Sequence, residues 1–208
     1  MYTKALVLAP HTDDGELGCG ATISRFLRNN IEVHYVAFSI CEESVPEGLP
    51  KDILKTELYL ATSTIGILHE NVHVLHYPVR HFSEQRQLIL DDMIHFKKEL
   101  NPDIVFMPSI NDIHQDHNTI ANEGKRAFKD ITIFAYEEPW NNYTFNNQVF
   151  IKVSEEDVIK KIDALQQYAS QKNRVYTSPE YIKSLLRIHG SQIGSDYAEI
   201  FETPRLVY

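Results

Sequence analysis

Short apolar runs alternate along the chain with longer segments whose apolar residues recur at helical spacing. The runs predict five strands and the amphipathic segments predict six helices. The predicted strands span 4–9, 33–39, 71–78, 103–109 and 131–137, and the predicted helices span 17–29, 51–66, 84–100, 117–128, 154–171 and 178–190. Strand–helix alternation with short connections is typical of a parallel sheet covered on both faces. The pattern therefore predicts an α/β, three-layer Rossmann-like fold with a mostly parallel sheet and helices on both faces, in a single domain over 1–208.

Several helix boundaries are marked by residues with known capping preferences. Gly66 follows a predicted helix and is expected to be its C-cap. Ser154 and Glu155 are expected to begin another helix, and Ser178 is expected to cap a third, with Pro179 at its first position.

Polar clusters follow the first and fourth predicted strands. Because parallel strands end at the same edge of a sheet, residues separated by about a hundred positions are expected to meet there. A divalent cation would make adjacent carboxylates favourable at such an edge. The two clusters therefore predict a metal site. They are His11, Asp13 and Asp14 after the first strand, and His114, Asp116 and His117 after the fourth.

Spacing alone leaves the roles within these clusters open. The i, i+3 relation favours His11 and Asp14 as ligands, with Asp13 as a general base. One of His114 and His117 would complete the metal site and the other would serve as acid or oxyanion partner. An aspartate in the second cluster would orient an imidazole. Two imidazoles and one carboxylate suit catalytic Zn²⁺, and the same set suits Fe²⁺.

Composition narrows the class of protein. The formal net charge of −9 argues against a nucleic-acid or anionic-membrane surface, and no run approaches the length of a membrane span. The only two cysteines, Cys19 and Cys41, have no metal-site or redox-motif spacing and are expected to be free thiols. With no signal peptide in the N-terminal segment, we expect a cytoplasmic protein.

Three glycines follow the first cluster, at Gly15, Gly18 and Gly20. A dinucleotide-binding glycine motif would begin directly after the strand, where residues 10–14 read PHTDD instead. Close packing of the helix, or turning of the backbone, is therefore the expected use of these glycines.

The two polar clusters lie in segments that match a known pair of motifs. APHTDDGELGCGATI at 9–23, followed by HQDH at 114–117, resembles the PIG-L/LmbE-like family of zinc-dependent de-N-acetylases. The family motifs read approximately PHxDDxExGxGGT and HxDH. The segments TELYLATSTIG at 56–66 and SQIGSDYAEIFE at 191–202 are also similar to that family, so the resemblance covers nearly the whole chain.

This resemblance implies a hydrolase that removes the acetyl group of an N-acetylated amino sugar or its conjugate, by attack of a zinc-bound water. Asp13 would accept the proton of that water, and a protonated His114 would hold the oxyanion, kept charged by Asp116. It also implies a small-molecule substrate and is compatible with a homo-oligomer. The residues that match the family's metal ligands are His11, Asp14 and His117.

The chain departs from the family pattern at three positions. Thr12 replaces a proline or alanine, and Ala21 replaces the second glycine of a pair. Some members use a tyrosine two residues before the HxDH motif, where this chain has Asp112. A tyrosine acid from this loop is therefore not expected.

Substrate contacts are expected from two further segments. Arg80 lies where family members often carry a substrate-contacting arginine. Aromatic and carboxylate side chains after the fifth strand could line a sugar site, since aromatic faces stack on pyranose rings. These residues are Tyr136, Glu137, Glu138 and Trp140.

Three other functions compete with this prediction. A receiver-like signalling domain also has paired acidic residues after its first strand, but the segments HYPVRH and FAYEEPW lack the aspartate and lysine that it needs. A non-catalytic relative would be expected to lack Asp13 or a metal ligand, and none is missing. A metal hydrolase acting on another amide or an ester fits the same residues.

Overall fold

A computed structural model describes residues 2–208, and its central feature is one seven-stranded sheet. Six α-helices pack against this sheet. The strands are β1 (Lys4–Ala9), β2 (Glu32–Ala37), β3 (Val72–Val74), β4 (Ile104–Pro108), β5 (Thr132–Tyr136), β6 (Val149–Val153) and β7 (Tyr197–Arg205). The helices are α1 (Asp14–Arg28), α2 (Ile53–Ile65), α3 (Arg86–Leu100), α4 (Gln115–Ala127), α5 (Glu155–Leu165) and α6 (Pro179–Ser191).

The strand order is β3-β2-β1-β4-β5-β7-β6, and the first five strands are parallel. β7 is antiparallel to both β5 and β6. This arrangement confirms the mostly parallel α/β fold. β6 and β7 were not predicted, because their pairing is antiparallel and lies outside the strand–helix–strand repeat on which the fold prediction depended.

Alternation along the strands produces a core on each face of the sheet. In β1, Val7 faces the core formed with α1, α2, α5 and α6, whereas Leu6 and Leu8 face the core formed with α3 and α4. All three side chains are fully buried. Strands that are buried on both faces read as continuous apolar runs, which is why β1 was predictable without any alternating pattern.

The predicted helix caps are confirmed. Gly66 is the C-cap of α2 in the left-handed conformation, with φ 113°. Ser154 forms a capping box with Asp157 at the start of α5, and Ser178 accepts a hydrogen bond from the Tyr181 amide at the start of α6.

Several boundaries differ from the prediction, most of all the end of α5, which lies at Leu165 rather than at 171. α1 begins at Asp14, three residues before the predicted start at 17, so the second aspartate of the pair lies in the first helical turn. β3 covers only Val72–Val74, whereas the prediction extended to 78. In the part of the chain that the structure describes, no helix combines the length and the apolar character needed to span a membrane.

Gly18 lets α1 approach the sheet closely, as expected from the glycine spacing. A Cβ atom at this position would lie 2.3 Å from Cδ2 of Tyr136. That ring cannot withdraw easily, because the buried Tyr136 hydroxyl donates to the Leu8 carbonyl at 3.0 Å.

Gly18→Ala is therefore expected to lower the free energy of unfolding by about 1–3 kcal/mol through overpacking. Helix propensity alone acts in the opposite direction, since alanine is favoured over glycine by about 1 kcal/mol. Urea unfolding distinguishes the two by the sign of the change. If the clash with the Tyr136 ring is the cause, Gly18→Ala should cost less in a Tyr136→Val background than in the unsubstituted protein. A stabilised Gly18→Ala protein would contradict the packing argument.

Candidate metal centre and active site

The two polar clusters meet at the point where the strand order reverses. β1 and β4 are adjacent and parallel, and the chain leaves β1 toward β2 on one side and β4 toward β5 on the other. Ligands of open α/β sheets bind in the crevice at the carboxyl ends of such strands. The segment 11–14 follows β1 and the segment 109–117 follows β4, so the topology brings them to one crevice.

Three side-chain atoms form a nearly equilateral triangle in this crevice. His11 Nδ1 lies 3.2 Å from Asp14 Oδ2 and 3.1 Å from His117 Nε2. His117 Nε2 lies 3.2 Å from Asp14 Oδ2. Ligand atoms about 2.0–2.1 Å from a tetrahedral zinc lie about 3.3–3.4 Å apart, so the spacing fits a small divalent cation.

The electrostatics of the triangle favour an ionised Asp14. Burial disfavours a charged Asp14, but His117 and His11 outweigh that effect and hold the pKa of its carboxyl well below the usual value. Asp14 Oδ2 also accepts a hydrogen bond from the His11 amide at 2.7 Å. Asp14 is therefore a carboxylate in place between two imidazoles.

Each histidine of the triangle has a carboxylate behind it. His11 Nε2 lies 3.1 Å from Asp116 Oδ2, and His117 Nδ1 lies 2.8 Å from Asp112 Oδ2. Carboxylates in such positions fix the ring orientation and direct the other nitrogen toward a metal. Both carboxylates are buried. Sequence reasoning identified Asp116 but missed Asp112, which it noted only as a departure from a tyrosine.

The partner of Asp116 differs from the expectation. Its carboxylate was expected to keep His114 charged, but it contacts His11 and accepts a hydrogen bond from the Arg80 amide at 2.6 Å. Only the Asp116 backbone reaches His114, donating its N–H to Nδ1 at 3.2 Å. Residues two apart in the first turn of a helix do not share a face, which separates these two side chains.

His114 occupies the N-cap of α4 and lies beside both histidines of the triangle. Its ring centroid is 4.9 Å from that of His11 and 4.5 Å from that of His117. Burial lowers its pKa to about 4, and the neighbouring His117 and His11 act in the same direction. With Nδ1 accepting the Asp116 amide, the neutral tautomer carries its proton on Nε2.

Asp13 lies next to the triangle and is not part of it. Burial and the charge of Asp14 raise the pKa of its carboxyl, and Arg174 opposes that rise. Arg174 Nη1 lies 3.4 Å from Asp13 Oδ2. Arg174 was not identified from the sequence, because it comes from a loop between α5 and α6 that carries no recognisable motif.

Two buried tyrosines anchor the segment 11–14 that follows β1. The hydroxyls of Tyr35 and Tyr168 donate to the Thr12 carbonyl at 2.9 Å and 2.6 Å, and both contact the buried Glu16. Burial raises the pKa of Glu16 to about 8. Glycine is needed at position 15, because a Cβ atom there would lie 2.4 Å from the Tyr35 ring.

The triangle lies at the base of a cleft of about 270 Å³. Arg80 and Trp140, both expected to contact substrate, line this cleft. Trp140 stacks on Tyr176 with ring centroids 3.9 Å apart, so one wall is aromatic. The Arg80 side chain is 59% exposed, and its Nη2 lies 3.8 Å from Glu43 Oε2, so its guanidinium is accessible from the cleft.

Glu137 and Glu138 follow β5, and their side chains point in opposite directions. Glu138 lines the cleft, with Oε2 3.7 Å from His117 Nδ1, and burial together with Asp14 raises its pKa well above the usual value. Glu137, expected to contact substrate, points instead toward α6, where its Oε2 lies 3.4 Å from His189 Nε2. Successive residues that leave a strand face opposite sides, which separates the pair.

Other groupings of ligand atoms are also available in the described residues. His114 lies close enough to His11 and His117 for all three to share an ion, and Glu138 lies close enough to Asp14 and His117. Within each set, the ligand atoms lie within 4.8 Å of one another. The triangle of His11, Asp14 and His117 is tighter, with 3.1–3.2 Å between its ligand atoms, and each of its histidines has a carboxylate behind it.

Glu137 and His189 make opposite contributions to the pH dependence of stability. Burial raises the pKa of Glu137 to about 7, opposed by Lys161, so its contribution is lost as the pH rises from about 4.5 toward 7. Burial, together with Lys161, lowers the pKa of His189 to about 4, so its contribution is lost as the pH falls from about 6.5 toward 4.

In the Glu137→Gln variant, the pH dependence contributed by His189 remains, so the free energy of unfolding is expected to rise between pH 4 and 6.5. In the His189→Asn variant, the pH dependence contributed by Glu137 remains, so the free energy of unfolding is expected to fall between pH 4.5 and 7. Urea unfolding across this range, compared with the unsubstituted protein, measures both. Parallel pH profiles for the two variants would contradict the assignment.

The fold and the site together define an α/β protein with a crevice at its switch point, in which histidine and aspartate side chains are spaced so that they could hold a divalent cation. Residues 6–128, more than half of the chain, match the sequence model of PIG-L, described as GlcNAc-PI de-N-acetylase. The chain therefore belongs to the PIG-L family of deacetylases.

Individual relatives agree with this membership. The chain is 28% identical over 172 residues to the uncharacterized deacetylase YaiS of Escherichia coli K12, covering 79% of this chain and 90% of that protein. The conserved protein TT1542 from Thermus thermophilus has a structure that matches with a TM-score of 0.81 at 26% identity, covering 100% of this chain and 97% of that one.

Two more distant structures share the fold alone. One is N,N'-diacetylchitobiose deacetylase from Pyrococcus horikoshii, with a TM-score of 0.77 at 19% identity, covering 97% of this chain and 84% of that one. The other is GalB, a 4-carboxy-2-hydroxymuconate hydratase from Pseudomonas putida, with a TM-score of 0.80 at 17% identity, covering 99% and 98%. The fold therefore carries more than one chemistry.

Proposed function

We propose that the protein is a zinc-dependent N-deacetylase, with Fe²⁺ as the alternative metal, that removes the acetyl group of an N-acetylated amino sugar or its conjugate. The observation that carries this proposal is the 3.1–3.2 Å triangle of ligand atoms, with Asp13 and His114 beside it in one cleft. Family membership supports deacetylation as the reaction. The proposed metal ligands are His11, Asp14 and His117.

When bound, the metal supplies Lewis acidity, which polarises an amide carbonyl and lowers the pKa of water. Asp13 accepts a proton from the attacking water, since it lines the same cleft and lies next to Asp14 in the chain without belonging to the triangle. Arg174, 3.4 Å from Asp13, favours the ionised form that a general base must have. The same carboxyl can then return the proton to the departing amine.

His114 stabilises the oxyanion as a neutral imidazole. The Asp116 amide holds Nδ1, so Nε2 carries the proton and can donate a hydrogen bond without a net charge on the ring. Asp116 acts on His11 instead, by orienting the ligand through a 3.1 Å contact. A donor aimed at a developing oxyanion is worth about 2.7–4 kcal/mol of barrier in comparable sites.

The aromatic wall of Trp140 and Tyr176 supports a sugar as substrate. Flat apolar faces of a pyranose stack on such rings, and the exposed Arg80 and the buried Glu138 offer a donor and an acceptor for its polar groups. The single continuous sheet supports treating 1–208 as one domain.

Acetate release from a panel of N-acetylglucosamine derivatives tests the proposal. Metal-depleted protein is assayed alone and after addition of Zn²⁺ or Fe²⁺, with metal binding measured in parallel. Release that depends on metal supports the deacetylase assignment. Binding of metal without release from any derivative would remove the acetylated amino sugar as substrate class. Absence of metal binding would overturn the site itself.

A further inference from the structure

Helix α1 contains a break one turn after the metal-site aspartate. Cys19 has φ −144° and ψ 22°, outside the helical range, so the helix consists of a short segment from Asp14 and a longer one that ends at Arg28. Sharp breaks in helices have identifiable causes, among them side chains that insert into the backbone hydrogen-bond ladder. α1 contains no proline, and Gly18 and Gly20 on either side of Cys19 make the break easy to form. An inserted side chain is the feature that would hold it.

The insertion is made by two charged side chains from distant parts of the chain. In an uninterrupted helix, the Ala21 amide would donate to the Leu17 carbonyl. Here that amide donates to Glu199 Oε1 at 3.1 Å, and the carbonyl accepts from Lys161 Nζ at 2.6 Å. Lys161 Nζ and Glu199 Oε1 are 2.7 Å apart, so the ion pair bridges the two backbone groups.

Glu199 also satisfies the next amide. Its Oε2 accepts from the Thr22 N–H at 2.7 Å, so one carboxylate caps the start of the longer segment with both oxygens. Glu199 comes from β7 and Lys161 from α5. The break in α1 is thus held by two elements that are separated from it by more than a hundred residues.

The burial of this pair indicates a conformational role. Lys161 and Glu199 are 3% and 2% exposed. A buried ion pair often adds no stability over an apolar pair of similar volume. An apolar pair, however, would leave the amides of Ala21 and Thr22 and the carbonyl of Leu17 without these partners as long as the helix stayed broken at Cys19. The charges are therefore needed for this backbone conformation specifically.

We infer that Glu199 and Lys161 are positioning residues that set the place of Asp14 in the metal site. The short segment of α1 begins at Asp14 and ends where the pair inserts, so the pair determines how this segment joins the rest of the helix. Without the pair, the helix would close its own ladder and Asp14 would leave the triangle. This inference rests on the proposed function, since it takes Asp14 as a metal ligand.

The test measures metal affinity and site geometry in Glu199→Gln and Lys161→Met. Zn²⁺ affinity is measured by competition with a chelator, and the visible absorption spectrum of Co²⁺-loaded protein reports the ligand geometry. Both variants are expected to bind Zn²⁺ about tenfold or more weakly, as with other residues that orient metal ligands, and to shift the Co²⁺ spectrum. Lys161→Met keeps the test decisive if Glu199→Gln fails to fold.

Asp157→Asn is the matched control. Asp157 lies in α5 and is fully buried. It connects α5 to the part of α1 beyond the break, accepting hydrogen bonds from Ser24 at 2.9 Å and Arg28 at 2.8 Å. It should lower the melting temperature of metal-free protein without changing Zn²⁺ affinity or the Co²⁺ spectrum.

Three outcomes separate the two proposals. Weaker binding and a shifted spectrum in the pair variants alone support the positioning role. Unchanged affinity and spectrum in both pair variants, or an equal loss of affinity in Asp157→Asn, would overturn it and leave the metal site intact. Failure of the unsubstituted protein to bind metal would overturn the proposed function as well.

Discussion

Asp13→Asn is expected to lower kcat for acetate release by about 10²–10⁴-fold, the usual contribution of a general base, while metal affinity stays unchanged. Asparagine has nearly the shape of aspartate but cannot accept the proton of the attacking water. Asp13 lies outside the ligand triangle, so its replacement leaves all three ligand atoms in place. Steady-state kinetics with the best derivative of the panel, together with chelator competition, measures both quantities.

Asp103→Asn provides the matched control for this substitution. Asp103 is also hydrogen-bonded, accepting from the Thr3 amide at 2.6 Å, but it lies at the opposite edge of the sheet, before β4. Its replacement should leave kcat unchanged. If Asp13→Asn retained most of the activity, or lost its metal, the role of general base would have to be reassigned.

Asp14→Asn is expected to remove metal binding and, with it, activity. The substitution takes away the only carboxylate of the triangle, and with it the negative charge that the two imidazoles surround. An asparagine oxygen can still accept the 2.7 Å hydrogen bond from the His11 amide, so the loop keeps its anchor. Chelator competition with Zn²⁺ and Fe²⁺ measures affinity, and the melting temperature of metal-free protein tests the fold.

Asp112→Asn and Asp116→Asn give the scale for that loss. These carboxylates contact the histidines from behind, at 2.8 Å and 3.1 Å, and their replacement should weaken metal binding by about 10–100-fold. The loss in Asp14→Asn should be larger than either. An Asp14→Asn protein that binds metal more tightly than these two variants would exclude Asp14 as a ligand and favour the alternative set of His11, His114 and His117.

The two polar clusters were predictable because each is contiguous in sequence and follows an apolar strand. Parallel topology then brings the ends of β1 and β4 together without any knowledge of side-chain contacts. Arg174 and the role of Asp112 were not predictable in this way. Arg174 is 161 residues from Asp13, and nothing in its neighbourhood repeats a motif. Asp112 acts through a 2.8 Å contact with His117 that depends on the turn of the loop before α4.

The expectations for Asp116 and Glu137 show where side-chain direction matters more than proximity in sequence. Asp116 is two residues from His114 but contacts His11, 105 residues away. Glu137 adjoins the cleft residue Glu138, yet it faces His189 on the other side. In both cases a helical turn or a strand end points neighbours in different directions.

The sequence by itself determined the α/β class, most helix boundaries and the residues of both clusters. It could do so because apolar periodicity, capping residues and adjacent polar groups are local properties of the chain. Only the tertiary structure decided the antiparallel β6 and β7, the partner of each carboxylate, and the break in α1. These depend on contacts such as that of Glu199 with the Ala21 amide, 178 residues apart. No local pattern encodes such a contact, because it forms only once the sheet has brought β7 against α1.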